Sequence, residues 1–316
     1  MVLESIGASS QKVKAHIPVL ESFLVTSMDF SNIFTLIDQV ASSGKLDDFI
    51  IAWNMIEKPD AAVYLEVLKR IRKRLNEDTI FDWAKGLTQR NEASCRSLAC
   101  FLLSIGNPFK RYEGVVSLLL ELADDSSWET RESAASCLAD VLHKNFEEFY
   151  PAMAGWVRHL SENVRRAVVV AAKKVGQKRV PGRGELLLQL IEPLLMDTSV
   201  YVRKNLGAFA IGDGLLRAYP ELTLAYVKKW SLSDDEQVLW NVAMVFSSAE
   251  AVKHRKEALP ILRRLACDRR RFVWRAAASA LRNLVRRRPE EVACAIEDWD
   301  ECERLRIVKR IALGAH

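Results

Sequence analysis

Apolar positions along the chain recur three and four residues apart far more often than they alternate. The segments YLEVLKRIRKRL, YEGVVSLLLELA, LLLQLIEPLL and ALPILRRLA each carry an apolar stripe at helical spacing, and runs of β-branched alternation closed by turns are nearly absent. The pattern predicts an all-α chain. Punctuation is sparse, 13 glycines and 9 prolines, and it falls between helical stretches, as at Gly106-Asn107-Pro108, Pro181-Gly182-Arg183-Gly184 and Tyr219-Pro220.

One helical pattern then returns. EASCRSLACFLLSIG, SSWETRESAASCLADVL, SENVRRAVVVAAKKVG, SVYVRKNLGAFAIGDGLL, EQVLWNVAMVFSS and RFVWRAAASALRNLVRR can be stacked on Arg96, Arg131, Arg165, Arg203, Asn241 and Arg275, at steps of 35, 34, 38, 38 and 34 residues. Each unit reads as a polar loop, an aromatic or valine, an arginine and a small-residue helix, with a second helix before it. That is the signature of a curved α-solenoid of HEAT-like two-helix repeats, with Asp125, Asp197 and Asp235 as loop acids. The repeats are recognisable over about residues 75–290. Residues 1–50 are helical in pattern but match the repeat poorly and read as a cap, leaving 51–316 as one continuous solenoid domain.

Composition adds little to this. The chain has 316 residues, 49% of them hydrophobic, enough for a sizeable core, and its 46 basic against 41 acidic residues give only +5. The N-terminus lacks a basic stretch followed by a long apolar one, and no uncharged run reaches the length of a membrane span, so a cytoplasmic protein with no membrane partner is expected. The six cysteines, Cys95, Cys100, Cys137, Cys267, Cys294 and Cys302, form no CxxC pair and read as reduced structural thiols. The five histidines are isolated, no HExxH occurs, and the glycines of VPGRGELL follow a helix and not a strand. No metal, no cofactor and no hydrolytic serine triad is called for.

The distribution of charge is more informative than its sum. Stacking equivalent helices lines up Arg96, Arg131, Arg165, Arg203 and Arg275 along one face, with Arg166 and Lys204 beside them and Lys173, Lys174, Lys178, Arg179 and Arg183 following. Such a row suits a phosphate backbone. The first arginine of each unit has an alternative duty, bonding the loop before it, which leaves Arg166 and Lys204 as the better phosphate candidates. Residues 253–288 hold 13 lysines and arginines against Glu257 and Asp268, including Arg269, Arg270 and Arg271, and residues 289–303 hold seven acids and no base. This reads either as a basic groove wall or as solvated helix faces paired with their neighbours.

The order WETRESA, AGWVRHLSENVRRAVVVAAKK, LIEPLLMDTSVYVRKNLG and YPELTLAYVKKW resembles the DNA alkylation repair proteins of the AlkC/AlkD type, closest to the AlkC branch over residues 115–290. The resemblance implies a HEAT-like DNA glycosylase, a hydrolase that excises N3- and N7-alkylated purines from duplex DNA held on a concave basic face. Carried over by position, it implies Trp128 for an aromatic wall, Glu132 for a catalytic carboxylate and Arg165-Arg166 for a phosphate-facing pair. The spacing of Trp128 and Glu132, i and i+4, puts both on one helical face. The alternative is that Trp128 packs on the preceding helix and Glu132 pairs with Arg165 or Arg166. The sequence departs from the family at Val170, Ala208, Phe209 and Ile211, where acidic, polar or aromatic residues are expected; Phe209 or Trp240 could supply an aromatic wall and Asp213 a carboxylate. The expected DNA contacts are Arg165, Arg166, Arg203, Lys204, Lys173, Arg269, Arg270, Arg271 and Arg275. The rival is a non-catalytic scaffold that binds DNA or an acidic protein partner.

Overall fold

The structure is a computed structural model and describes residues 30–314. The first 29 residues of the expected cap therefore lie outside the described residues. Every regular element among the described residues is helical. The chain divides into two compact units, Met1–Asn107 and Pro108–His316.

In the first unit the helices are α1 (Phe30–Ser43), α2 (Leu46–Trp53), α3 (Ala61–Arg74), α4 (Glu77–Thr88) and α5 (Ala93–Ile105). Asp60 and Asn76 start α3 and α4 by accepting backbone N–H bonds from the first turn. Helices α1 and α2 share one core with the rest of the unit: Leu36, Ile37, Phe49, Trp53, Ile71, Leu87, Leu98 and Leu102 are fully buried. The Phe49 and Trp83 rings meet at 4.7 Å, and the Tyr64 ring lies 5.1 Å from Trp53 and 5.0 Å from Phe101. Each such side chain contributes about 1.5–3 kcal/mol by leaving water.

The second unit stacks two layers. The outer-layer helices are α6 (Tyr112–Ala123), α8 (Phe146–Trp156), α10 (Arg183–Ile191), α12 (Pro220–Trp230), α14 (Arg255–Ala266) and α16 (Pro289–Ala295). They alternate in sequence with α7 (Trp128–Lys144), α9 (Glu162–Gly176), α11 (Val200–Asn205), α13 (Glu236–Val245), α15 (Arg271–Arg287) and α17 (Glu303–Leu313). The second set packs neighbour on neighbour in chain order, with the segment Leu206–Leu216 that continues α11 making the contact to α13. Alanines at 134, 135, 139, 167, 171, 172, 276, 277, 278 and 280 are buried between these helices, and their small size allows the close approach.

Helix α11 runs directly into a π-helix, Leu206–Leu216, which the apolar periodicity did not distinguish from ordinary α-helix. Glycines explain its tight seat. A Cβ on Gly207 would lie 2.7 Å from the Met244 Cβ, and one on Gly212 would lie 2.5 Å from the Ser248 Cβ and 2.8 Å from the Val245 carbonyl oxygen, so α13 and the turn after it pack against bare backbone there. Among the described residues no helix is long and apolar enough to cross a membrane.

Candidate nucleic-acid interface

All candidate side chains sit in the second unit, and the helix starts give them a common register. The residues just before α7, α9, α11, α13 and α15 are Ser127, Ser161, Ser199, Asp235 and Arg270. Ser161, Ser199 and Asp235 accept N–H bonds from the first turn, fixing where each helix begins. Counted from these starts, the fourth residues are Arg131, Arg165, Arg203, Leu239 and Trp274, and the fifth are Glu132, Arg166, Lys204, Trp240 and Arg275. Arg275 and Asn241 therefore do not belong to the row of Arg131, Arg165 and Arg203. Asn241 is a fully buried sixth residue that donates to the carbonyls of Leu195 (2.9 Å) and Gln237 (3.1 Å).

The fourth-position arginines hold the stack together. The Arg131 Nη1 donates to the carbonyls of Asp125 (2.7 Å) and Ser126 (2.9 Å), and the Arg165 Nη1 donates to those of His159 and Leu160, both at 2.8 Å. Arg96 repeats this within the first unit, on the Arg90 and Asn91 carbonyls. Arg165 also forms a two-pronged ion pair with Asp197, at 2.6 and 3.2 Å, and this hydrogen bonding raises its already high pKa. Arg203 donates to the Gln237 side chain at 2.9 Å, and Arg270 is taken up by Asp268 (2.7 and 2.9 Å) and by the Asp234 carbonyl. Arg165, Arg203 and Arg270, expected as DNA contacts, are thus committed to neighbouring repeats. Arg165 and Arg270 meet loop carbonyls and acids that the stacking would otherwise leave unsatisfied, whereas Arg203 meets a neighbouring side-chain amide.

Arg166 is not the unengaged cation that its place beside the row suggests. Its Nη2 donates to the Glu132 Oε2 at 2.6 Å, its guanidinium lies 5.3 Å over the Tyr201 ring, and its side chain is only 12% exposed. Fifth-position residues of adjacent repeats are row neighbours, so an acid on α7 meets a base on α9. Lys174 completes the cluster, donating to the Ser136 Oγ at 2.5 Å and approaching the Glu132 Oε1 at 3.9 Å. Trp128 does the opposite of packing on the preceding helix: it is 67% exposed, one turn before Glu132. An exposed aromatic, a half-open carboxylate and two cations thus share one face.

Further along, the Lys173 Nζ stands 3.2 Å from the centre of the Phe209 ring, and burial lowers its pKa. Asp213 is not a spare carboxylate, because it accepts the N–H groups of Ala249 (3.1 Å) and Glu250 (3.3 Å). Trp240 stacks on Phe272, with centroids 5.7 Å apart and planes 12° apart, and the Arg203 guanidinium lies 5.2 and 5.4 Å from the two rings. Lys204, Arg269, Arg271 and Arg275 are exposed and have no ion-pair partner among the described residues. Tyr201 and Phe272 were missed by the sequence reading, although both are the second residue after a helix start and precede an arginine by two or three positions. Among the described residues no group of three or more His, Cys, Asp or Glu side chains is placed to hold a metal ion.

Stacked helix pairs with a polar, partly aromatic face on the second helices define a helical-repeat protein of HEAT-like architecture. Residues 60–211, just under half of the chain, match the sequence profile of a family described as DNA alkylation repair enzyme. That stretch contains Trp128, Glu132, Arg166, Lys204 and Phe209, and it ends before Trp240. No curated protein matches the chain by sequence. Among solved structures, the chain is similar to AlkD2 from Streptococcus mutans (22% identity, 66% of this chain and 97% of that one, TM-score 0.49) and to smu.31 from Streptococcus mutans UA159 (20% identity, 66% and 97%, TM-score 0.49). It is also similar to a designed armadillo repeat protein (24% identity, 65% and 99%, TM-score 0.28).

Proposed function

We propose that this chain is a DNA-binding protein of the alkylation repair type, closest in its order of segments to the AlkC branch. On this reading Trp128 and Glu132 are where it hydrolyses the glycosidic bond of an N3- or N7-alkylated purine in duplex DNA. The observation that carries the proposal is an exposed tryptophan one helical turn from a carboxylate that is oriented by Arg166 at 2.6 Å and remains open to solvent. The chemistry asks for little more. The alkylated purine is already cationic; as its bond to C1′ breaks, the electron pair leaves with the base, which departs neutral, and the positive charge passes to the sugar. A carboxylate beside the sugar stabilises that charge and takes the proton of the water that attacks C1′, and an indole face attracts the same cation. Lys204, Arg271 and Arg275 are the phosphate contacts on this reading, with Arg269 at the edge.

A second reading, a non-catalytic scaffold for DNA or for an acidic protein partner, is favoured by the same ion pair. A carboxylate already compensated by Arg166 and approached by Lys174 has less field to offer a sugar cation. Single-turnover release of 3-methyladenine and 7-methylguanine from methylated duplex separates the two. Losing a well-placed electrostatic contact costs about 3 kcal/mol, roughly a hundredfold in rate, so Glu132→Gln should abolish most release while lowering Tm by only a few degrees, since Glu132 is 42% exposed and glutamine keeps an oxygen for Arg166. No release by the wild-type protein, or equal release by the variant, leaves the scaffold. Competition by duplex DNA against a polyglutamate peptide then identifies the partner class.

A further inference from the structure

The Trp240 and Phe272 rings are stacked outside the cluster at Glu132, beyond the stretch that matches the family profile. Their neighbours do not bury them as core residues. Phe272 is 36% exposed, and both rings line an open groove of about 580 Å³ together with Met244, Arg271, Arg275 and Ser279. Arg203, held by Gln237, lies against both rings and fixes their orientation. Two rings fixed in nearly one plane direction, with two exposed guanidiniums on the same groove, offer a π-surface and phosphate partners side by side.

We infer that this groove is a nucleotide subsite that takes an unpaired base of the bound DNA against Trp240 and Phe272, with the flanking phosphates on Arg271 and Arg275. The occupant follows from the chemistry of the groove. An acidic peptide would satisfy the two arginines but would leave the ring faces against carboxylates, whereas a nucleotide satisfies both. A fully paired duplex has its bases stacked internally and cannot use the rings, so the subsite adds affinity only where a base is extruded or the strand is single. The inference rests on the DNA-binding reading and extends it to strand state.

The test uses the full chain and fluorescence anisotropy with three probes: a paired duplex, the same duplex with a three-nucleotide bulge, and an oligothymidylate. Wild type should prefer the bulged duplex over the paired one by about fivefold to a hundredfold, the range expected for one stacked base. Phe272→Ala should lose that preference and keep its affinity for paired duplex, and Phe272→Tyr should restore the preference. Circular dichroism and Tm verify that both variants fold. If wild type binds the paired duplex but shows no preference, or if Phe272→Ala keeps it, the subsite is overturned while the DNA-binding reading stands. If wild type binds none of the three probes, both fail, and displacement of the oligothymidylate by equimolar polyglutamate peptide would overturn the nucleotide assignment alone.

Discussion

Arg165 and Lys204 lie close in the sequence pattern and were both expected to contact DNA, but the structure gives them opposite surroundings, one paired and half-buried, the other exposed, and the proposed function then predicts effects that measurement can separate. Replacing Arg165 by alanine removes two bonds to Asp197, at 2.6 and 3.2 Å, and two bonds to loop carbonyls at 2.8 Å. It also leaves the Asp197 carboxylate, whose side chain is 7% exposed against 18% for Arg165, without its cation, although it keeps the Ser199 N–H. Breaking a fully buried pair costs roughly 3–5 kcal/mol, and the residual exposure here brings that to about 2–4 kcal/mol. For a unit of this size, on the order of 200 residues, Tm should fall by roughly 5–15 °C. Duplex affinity should change less than about threefold and its salt dependence not at all, because no phosphate contact is lost. Asp197→Asn should reproduce the loss of Tm without touching a cation, and the double variant should lose less than the two singles added, since one interaction is removed twice. Lys204→Ala is the mirror case: Tm within a degree or two of wild type, and the slope of log affinity against log salt flatter by about 0.9. A Tm unmoved by Arg165→Ala together with a flattened salt slope would refute the division of labour.

Glu250 is buried, which alone would raise its pKa, but ion pairs with Lys253 and Arg217 at 3.0 Å outweigh that and hold its carboxyl below the usual range, as the bonds from Arg270 do for Asp268. Carboxyls lowered in the fold contribute stability above the ordinary range and lose it as pH falls through their folded values. Urea midpoints should therefore drop on acidification below roughly pH 4, less steeply in Glu250→Gln; an equally steep drop in that variant would count against the assignment. The Leu305 N–H bond to the Cys302 sulfur lowers the Cys302 pKa, whereas burial pushes the Cys95 thiol up to about 11. Iodoacetamide near neutral pH should accordingly label Cys302 well before Cys95, as read by mass spectrometry, and equal rates would contradict it. Gly212→Ala would place a Cβ 2.5 Å from Ser248 and should cost about 1–3 kcal/mol, whereas Gly155→Ala, with nothing within 4 Å, should be neutral or stabilising. Thermal melts of the two variants that coincide would refute the close-approach argument.

The helical class and the repeat period were legible because a helix must bury an apolar stripe, and that stripe is written in every segment. The side-chain partners were less legible because the repeats were stacked on arginines. Alignment on the residues before each helix, Ser127, Ser161, Ser199, Asp235 and Arg270, would have moved Arg275 and Asn241 out of the arginine row and put Glu132 beside Arg166. It would also have brought Tyr201 and Phe272 into one row. The π-helix was not legible at all. Its apolar pattern is that of any buried helix, and only the glycines at 207, 212 and 214 record how closely α13 and Lys173 approach it.

Positions four and five of the inner-layer helices answer to different physical demands, and that difference explains why function should be sought at the fifth. At α7 and α9 the fourth residue is an arginine that supplies donors to the loop carbonyls of its own repeat, and at α11 it is an arginine that bonds the Gln237 side chain of the next. The fifth residues, Glu132, Arg166, Lys204, Trp240 and Arg275, are row neighbours of one another: Glu132 pairs with Arg166, while Lys204 and Arg275 are exposed. Within that row an acid neutralises the base that follows it, as Glu132 does Arg166, so the repeats of α7 and α9 contribute little net field at this position. The uncompensated cations begin at Lys204 and continue through Arg271 and Arg275. On the proposed reading, a polyanion attracted by that field meets α11 to α15 first and reaches Trp128 and Glu132 only by extending back along the row, so the proposed gathering of DNA and the proposed excision fall at different repeats.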